Sequence, residues 1–343
     1  FNDNDWGNLV NDFVSLPQAL KTSGYKTALI GKWHLGLESP DIPNERGFDY
    51  FKGFLGDMMD DYNNHLRGGV NWMRENLLEI SPKGHATDLF TQWSIDYIEK
   101  NKSSKNPFFL FLNYNAPHSP IQPPKKWLSS VSKRERNASE GRQKLIAFIE
   151  HLDDSVDKVI NSLENNNLLD NTIIIFTSDN GGALHYSASN KPFNGGKGNM
   201  LEGGIRIPCI VKWSNVIKPG LVNDPIMLMD FYPTLVSISR EFNDYNLPSK
   251  NILPLLKDEQ LSYESRFMVW IRREGHVFGG RDFYAISNGR FKLLQNSPFE
   301  PYKLYDLEKD PFEENPIENK EVKSLLLKKL TKHIQVSGNI PWQ

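Results

Sequence analysis

Apolar and polar positions along this chain repeat with two periods, and the switches between them predict its elements. Ala28-Leu29-Ile30 is a short apolar core that runs into Gly31 and then delivers Lys32 and His34. Residues two apart on an extended segment share a side, so Lys32 and His34 can point together into a crevice at the carboxyl end of a strand, where open α/β sheets bind ligands. Before this strand, Ser15 followed by Pro17, with Gly24 beyond, punctuates a short helix. Residues 40–75 are rich in Gly, Pro, Asp and Asn with scattered aromatics and read as ordered loops. Thr87 is placed to cap a helix on which Phe90, Trp93 and Tyr97 recur at helical spacing. Phe108 to Tyr114 is apolar almost throughout, as expected for a strand covered on both faces. The longest helix carries Leu145, Phe148, Ile149, Leu152, Val156, Val159, Ile160 and Leu163 on one broad stripe. Thr172 to Thr177 is another fully apolar strand, Cys209-Ile210-Val211 reads as a short buried one, and Asp230 to Ser239 as a helix with Pro233 in its first turn.

Strand and helix alternate up to about residue 257, and polar residues recur just after strands, which is a doubly wound α/β signature. From residue 258 the texture changes. Arg266 to Arg272, Asp282 to Ser287 and Arg290 to Gln295 read as antiparallel strands, with Asn288-Gly289 as a two-residue turn and Tyr302 to Leu307 as a further strand. Val322, Leu326, Leu330 and Ile334 at steps of four mark a last helix. The expected organisation is a catalytic domain over 1–257 and a small α+β domain over 258–343.

Composition narrows the function classes. A chain of 343 residues with 38% hydrophobic residues can bury a sizeable core, and a net charge of -2 gives no electrostatic reason to expect nucleic acid or a membrane surface as partner. No apolar run approaches the length of a membrane span. With one cysteine, Cys209, there is no intrachain disulfide and no zinc site built from several thiolates. Cys209 sits in an apolar run and reads as a packed core residue.

Several residues carry chemistry. Asp179-Asn180 after an apolar strand offers a carboxylate and an amide carbonyl, the oxygen ligands that hard cations prefer; Asp-Asn-Gly-Gly is equally good turn sequence. His118, in Pro117-His118-Ser119-Pro120, can donate a proton or hold an anion from a stiff loop, or stand there as a half-exposed histidine. Lys197 between Gly196 and Gly198 can approach an anion without steric obstruction, or be a mobile surface lysine. Asp61 and His65 fall in one acid, aromatic and imidazole run, most such runs being surface loops. Together, Lys32, His34, His118, Asp179, Asn180 and Lys197 would give one sheet rim a hard metal, two ammonium groups and two imidazoles, a combination able to bind and cleave a tetrahedral oxyanion ester.

The run Gly24-Tyr25-Lys26-Thr27 through Gly31-Lys32-Trp33-His34-Leu35-Gly36 resembles the second signature of the type I, formylglycine-dependent sulfatases of the alkaline-phosphatase-like superfamily. The resemblance continues in order through His85-Ala86-Thr87-Asp88, Ala116-Pro117-His118, Ser178-Asp179-Asn180-Gly181-Gly182, Gly196-Lys197, Glu202-Gly203-Gly204-Ile205-Arg206, Asp230 with Pro233-Thr234-Leu235, and Leu304-Tyr305-Asp306-Leu307 with Asp310-Pro311. It implies an alkaline-phosphatase-like sheet sandwiched by helices with a smaller C-terminal α+β domain, and a sulfuric ester hydrolase acting on an aryl sulfate or a sulfated carbohydrate. By the same resemblance Lys32 and Lys197 neutralise the sulfate oxygens, His118 holds the sulfate and protonates the leaving alcohol, and His34 serves the hydrated aldehyde nucleophile. Asp179 and Asn180 are implied calcium (Ca2+) ligands, and Asp61, His65 and His185 shape substrate access.

The chain departs from the family pattern at its front. The paired aspartates and the Cys (or Ser)-x-Pro-x-Arg motif that precede the matched region in the family are not among these residues, and the first residue is Phe1. The expectation is an N-terminally truncated sulfatase, inactive as presented, whose full-length form needs a formylglycine-generating or anaerobic sulfatase-maturating enzyme. Family habit places such enzymes in the periplasm or outside the cell. The alternatives are a phosphatase or phosphodiesterase of the same superfamily and a non-catalytic binder of sulfated glycans.

Overall fold

The computed structural model describes residues 13–240, 248–259, 266–273 and 282–337; the expectation attached to Phe1 lies outside them. The chain divides into two compact units, Phe1–Thr172 with Met229–Asn251, and Ile173–Leu228 with Ile252–Gln343.

The first unit begins with α1 (Leu16–Thr22), closed by a capping box in which Ser15 and Gln18 exchange side-chain and backbone hydrogen bonds. β1 (Lys26–Lys32) follows. The loops expected over residues 40–75 instead contain β2 (Tyr50–Phe54) and the short strands β3 (Leu66–Arg67), β4 (Val70–Asn71) and β5 (Met73–Glu75), with β6 (Leu78–Glu79) just beyond. α2 (Ala86–Asn101), β7 (Phe108–Asn113), α3 (Lys125–Arg134) and α4 (Glu140–Asn165) complete the run. Five strands form one sheet in the order β6-β5-β2-β1-β7, with β1 parallel to both β2 and β7.

β1 is buried on both faces. Ala28 and Ile30 pack with Phe54, Phe90 and Phe148, the last two brought by α2 and α4, while Leu29 packs with Trp33, Phe48 and Phe51 on the other side. α2 is capped by His85 and not by Thr87: the His85 Nδ1 accepts from the Thr87 amide at 3.2 Å, so the cap lies two residues earlier than expected.

In the second unit β8 (Ile174–Thr177) is followed by the single turn α5 (Glu202–Ile205) and by β9 (Cys209–Lys212), which pairs antiparallel with β8. α6 (Phe231–Ser239) returns to the first unit, where Ser239 and Arg240 hydrogen-bond Ser23 and Thr22 at the end of α1. α7 (Leu253–Leu256) leads to a four-stranded antiparallel sheet of β10 (Met268–Arg273), β11 (Asp282–Ser287), β12 (Phe291–Gln295) and β13 (Lys303–Asp306), in that order. The turn falls one residue later than expected, at Gly289-Arg290: the Ser287–Lys292 pair is followed by a hydrogen bond from the Asn288 amide to the Phe291 carbonyl at 3.1 Å. α8 (Lys320–Ser337) covers this sheet, with Leu326 and Leu330 buried against Ile286, Leu293 and Leu304.

The apolar strands are less covered than their composition predicts. Phe111 on β7, Phe176 on β8 and Ile210 on β9 are exposed, and Phe176 and Ile210 face each other in register. Among the described residues each of these strands has one neighbour, so it lacks the second flank that would hide its side chains. Cys209 is likewise exposed, which corrects its reading as a packed core residue.

Candidate active site

Three backbones crowd together at the carboxyl end of β1. Gly31 has φ of 109°, and a Cβ there would lie 2.0 Å from the Asn113 carbonyl oxygen of β7. A Cβ on Gly53 of β2 would lie 1.9 Å from the Gly31 carbonyl oxygen. Only glycine fits either position, and the close approach brings the exits of three parallel strands to one edge. Asn113 Nδ2 donates to the Lys32 carbonyl at 3.1 Å, fixing the residue that ends β1. Beyond it Trp33 is buried, its Nε1 donating to the Asp41 carbonyl at 2.7 Å. The exposed His34 donates its amide to the Leu55 carbonyl and takes φ of 60°. That left-handed turn ends the extended segment, so its direction is set by the turn and not by strand alternation with Lys32.

His118 stands beyond β7, beside β1 in register Gly31 to Asn113, so Lys32, His34 and His118 leave the same end of adjacent parallel strands. Its loop carries two cis prolines, after Ala116 and after Ser119. The His118 amide donates to the Asn115 carbonyl at 2.8 Å, and its own carbonyl accepts from the Tyr62 hydroxyl at 3.0 Å. The ring Nδ1 lies 2.9 Å from the Ser119 carbonyl. A carbonyl only accepts, so Nδ1 carries the hydrogen.

Asp61 and His65 form part of the wall behind this loop. Asp61 accepts from the Asn63 and Asn64 amides and from Gln122 Nε2, and Gln122 in turn accepts from the Tyr62 amide. Burial pushes the Asp61 carboxyl up, but the amide hydrogen bonds outweigh it and hold the group below the usual carboxylate range. His65 is buried with Nε2 2.9 Å from the Gly84 carbonyl, and burial lowers its pKa. His185 is exposed, its ring 4.3 Å from that of Tyr186.

The other three residues lie in the second unit, on two stitched loops. Gly181 donates its amide to the Gly204 carbonyl at 2.9 Å, and the Lys197 amide donates to the Gly182 carbonyl at 3.1 Å. A Cβ on Gly181 would meet the Gly203 carbonyl oxygen at 1.8 Å, so the two glycine-rich runs touch backbone to backbone. Lys197 is thereby tied to the loop of Asp179 and Asn180. Asp179 Oδ1 accepts from the Asn180 amide at 2.9 Å, and Asn180 Nδ2 donates to the Gly181 carbonyl. Asp179 is exposed and its Oδ2 has no hydrogen-bond partner among the described residues. A free carboxylate oxygen beside an amide oxygen fits a hard cation such as calcium, and supplies two of the six to eight oxygens it takes.

Sequence reasoning missed the residues that hold these loops. Asn190 bridges Gly182 and Gly195, and Lys292 on β12 is fully buried against Glu202 and Glu313. A lone lysine within Phe291-Lys292-Leu293-Leu294 was the available signal for the second. A further cluster joins His85, Asp88 and His151, whose ligand atoms lie within 4.8 Å of one another. His85 spends both ring nitrogens, on the Gln122 carbonyl and the Thr87 amide, and His151 Nε2 pairs with Asp88 at 2.8 Å. These contacts pin α2 to α4.

Comparison with known proteins sets this geometry in context. Residues 2–239 match the sulfatase family, and residues 195–338 match the C-terminal region of N-sulphoglucosamine sulphohydrolase. The uncharacterized sulfatase YdeN of Escherichia coli K12 is 30% identical over 77% of this chain and 50% of its own length. N-acetylgalactosamine-6-sulfatase of Mus musculus is 29% identical over 83% of this chain and 55% of its own. The chain therefore spans about half the length of the curated relatives it matches. Among solved structures, Ps i-CgsB in complex with k-i-k-neocarrahexaose superposes with a TM-score of 0.84 at 27% identity, covering 96% of this chain and 75% of that one.

Proposed function

The chain belongs to the sulfatase family, and on that premise we propose that it carries the sulfate-binding part of a sulfuric ester hydrolase acting on sulfated glycan. The observation that carries this reading is the shared exit of β1 and β7, where Lys32, His34 and His118 follow adjacent parallel strands. Lys32 and Lys197 bind the sulfate oxygens as ammonium groups and offset their charge. His118, with Nδ1 held by the Ser119 carbonyl, is the imidazole assigned to the ester oxygen. As the oxygen of the nucleophile bonds to sulfur and the ester S–O bond breaks, the protonated His118 imidazolium gives a proton to the leaving alkoxide, which departs as the alcohol. Tyr62 and Asn115 keep that ring in place by holding the His118 backbone.

Asp179 and Asn180 are the residues that would hold a calcium ion, which when bound polarises the ester oxygens. His34 serves the nucleophile. No Cys-x-Pro-x-Arg or Ser-x-Pro-x-Arg run occurs in the 343 residues, so the reading requires a nucleophile from outside them, converted to formylglycine by a maturating enzyme. The 343 residues alone then bind sulfate without turning over a sulfate ester. The relative named N-acetylgalactosamine-6-sulfatase and the neocarrahexaose complex support a sugar as the alcohol.

The test is calorimetric titration of the 343-residue chain with inorganic sulfate, with an aryl sulfate hydrolysis assay alongside. Saturable binding that Lys32→Ala, His118→Ala and Lys197→Ala each weaken, with no turnover, supports the reading. Binding indifferent to all three, or turnover by the 343 residues alone, overturns it.

A further inference from the structure

Lys292 sits on β12 with its side chain fully buried and its Nζ 2.8 Å from both Glu202 Oε1 and Glu313 Oε1. Glu313 has further partners. Glu313 Oε2 accepts the Glu202 amide at 2.5 Å, and the Glu313 carbonyl accepts from Asn194 Nδ2 at 3.3 Å. Glu202 and Asn194 bracket the glycine-rich run that carries Lys197, and the Gly203 amide closes that run by donating to the Asn194 carbonyl at 2.7 Å. The same run is held twice more from the antiparallel sheet region: Arg272 on β10 donates to the Gly198 carbonyl at 2.5 Å, and Asn296 Oδ1 accepts the Met200 amide at 2.7 Å. Met200 itself is buried among Ala285, Leu294 and Tyr305 of that sheet.

A buried lysine between two carboxylates is an expensive arrangement. Desolvation of three charges is repaid only when every partner is in place, and a well-packed apolar trio would often serve stability as well. What the charged trio adds is direction: it couples one atom on β12 to both ends of a run in which Gly195, Gly196 and Gly198 leave the backbone around Lys197 without side chains to pack. From this we propose that Lys292 is a positioning residue which, through Glu202 and Glu313, fixes the backbone on either side of Lys197 and so sets where that ammonium group stands. The inference rests on the reading of Lys197 as a sulfate-binding group; its structural half, control of the 194–206 loop by Lys292, does not.

Hydrogen exchange followed by mass spectrometry on the 343-residue chain, paired with inorganic sulfate titration, separates the two. In Lys292→Met and Glu313→Ala, amide exchange in the 194–206 peptide rises at least tenfold while β11 and β12 keep their protection, and the sulfate dissociation constant rises about tenfold. Glu313→Gln, which keeps an acceptor for the Glu202 amide, restores slow exchange; it also decides the matter should Lys292→Met fail to fold. Unchanged exchange in 194–206, or a rise spread evenly over the whole antiparallel sheet, overturns the proposal. Localised exchange in a chain whose wild type ignores sulfate, or whose Lys197→Ala variant binds it equally well, upholds control of the loop by Lys292 and refutes the sulfate-binding role.

Discussion

Asn190 and Gly182 exchange two hydrogen bonds: the Gly182 amide donates to Asn190 Oδ1 at 2.8 Å, and Asn190 Nδ2 donates back to the Gly182 carbonyl at 2.9 Å. The same Nδ2 reaches the Gly195 carbonyl at 2.9 Å, so one side chain does for two loops what a strand pair would do with its backbone. Since Gly182 follows Asp179-Asn180 and Gly195 precedes Lys197, the amide of Asn190 holds the candidate metal ligands and the candidate anion ligand in one frame.

Asn190→Ala removes all three bonds and leaves polar backbone groups without partners, a loss of about 2–3 kcal/mol. Asn190→Asp is the sharper variant. It keeps the acceptor but loses both donors and sets a carboxylate against two carbonyl oxygens, so it lowers the urea midpoint at least as far as alanine. Equal midpoints for wild type and Asn190→Asp in urea denaturation at pH 7 would contradict the role assigned to this amide.

Calcium gives a second check. If Asp179 and Asn180 hold the ion, millimolar calcium raises the thermal midpoint, since a ligand at a hundred times its dissociation constant adds about 2.7 kcal/mol. Asp179→Asn keeps an acceptor for the Asn180 amide and removes only the charge, so it abolishes the calcium response while leaving the ion-free midpoint near that of wild type. Magnesium, which demands tighter octahedral geometry, gives the smaller shift. A calcium response that survives Asp179→Asn sinks the assignment.

Much of this molecule is legible in its sequence, for physical reasons that also set the limit. β1, β7, α4 and the antiparallel sheet follow from apolar periodicity, and the common exit of Lys32, His34 and His118 follows from β1 and β7 being parallel neighbours. β2 escaped because Gly53 reads as a loop residue, whereas here it is glycine because β1 leaves no room for a Cβ. That is a long-range contact that no local pattern encodes. The N-cap of α2 escaped because histidine is not among the usual capping residues, and its Nδ1 takes the role only with Nε2 anchored on Gln122, 37 positions away. Lys292 escaped for the same reason, since its two carboxylates come from distant loops. The covering of β7, β8 and β9 was over-read: an apolar strand reports what it needs, and these strands have one neighbour each among the described residues.

The close approach at Gly53 is itself testable. With 1.9 Å between a notional Cβ and the Gly31 carbonyl oxygen, Gly53→Ala forces β1 and β2 apart at the point where Lys32 leaves the sheet. The overpacking costs about 3 kcal/mol and widens the rim, so sulfate affinity falls together with stability. Gly69→Ala provides the contrast, because nothing lies within 4 Å of its notional Cβ. Its cost is limited to the strain of φ at 82°, of order 1 kcal/mol. Equal urea midpoints for the two variants would show that the crowding at Gly53 is relieved at no cost.

Acid sensitivity follows from two buried imidazoles. His65 and His85 both titrate below the ordinary histidine value because burial disfavours their charged forms. His85 is further committed to neutrality, since Nε2 must donate to the Gln122 carbonyl while Nδ1 accepts the Thr87 amide, and a second ring hydrogen would face that amide. In the unfolded chain both rings take up protons at about pH 6.5, and in the folded chain only at lower pH. The stability they contribute is therefore whole above about pH 6.5 and is lost as pH falls below it, by protonation of the unfolded state first. The thermal midpoint drops between pH 7 and pH 5.5 in wild type. His85→Asn, which can still cap α2 through its side-chain oxygen, flattens that drop without lowering the midpoint at pH 7 by more than the value of one hydrogen bond, about 1 kcal/mol. A wild-type midpoint flat across this interval, or a His85→Asn curve with the wild-type slope, would mean that these rings are solvated when they charge.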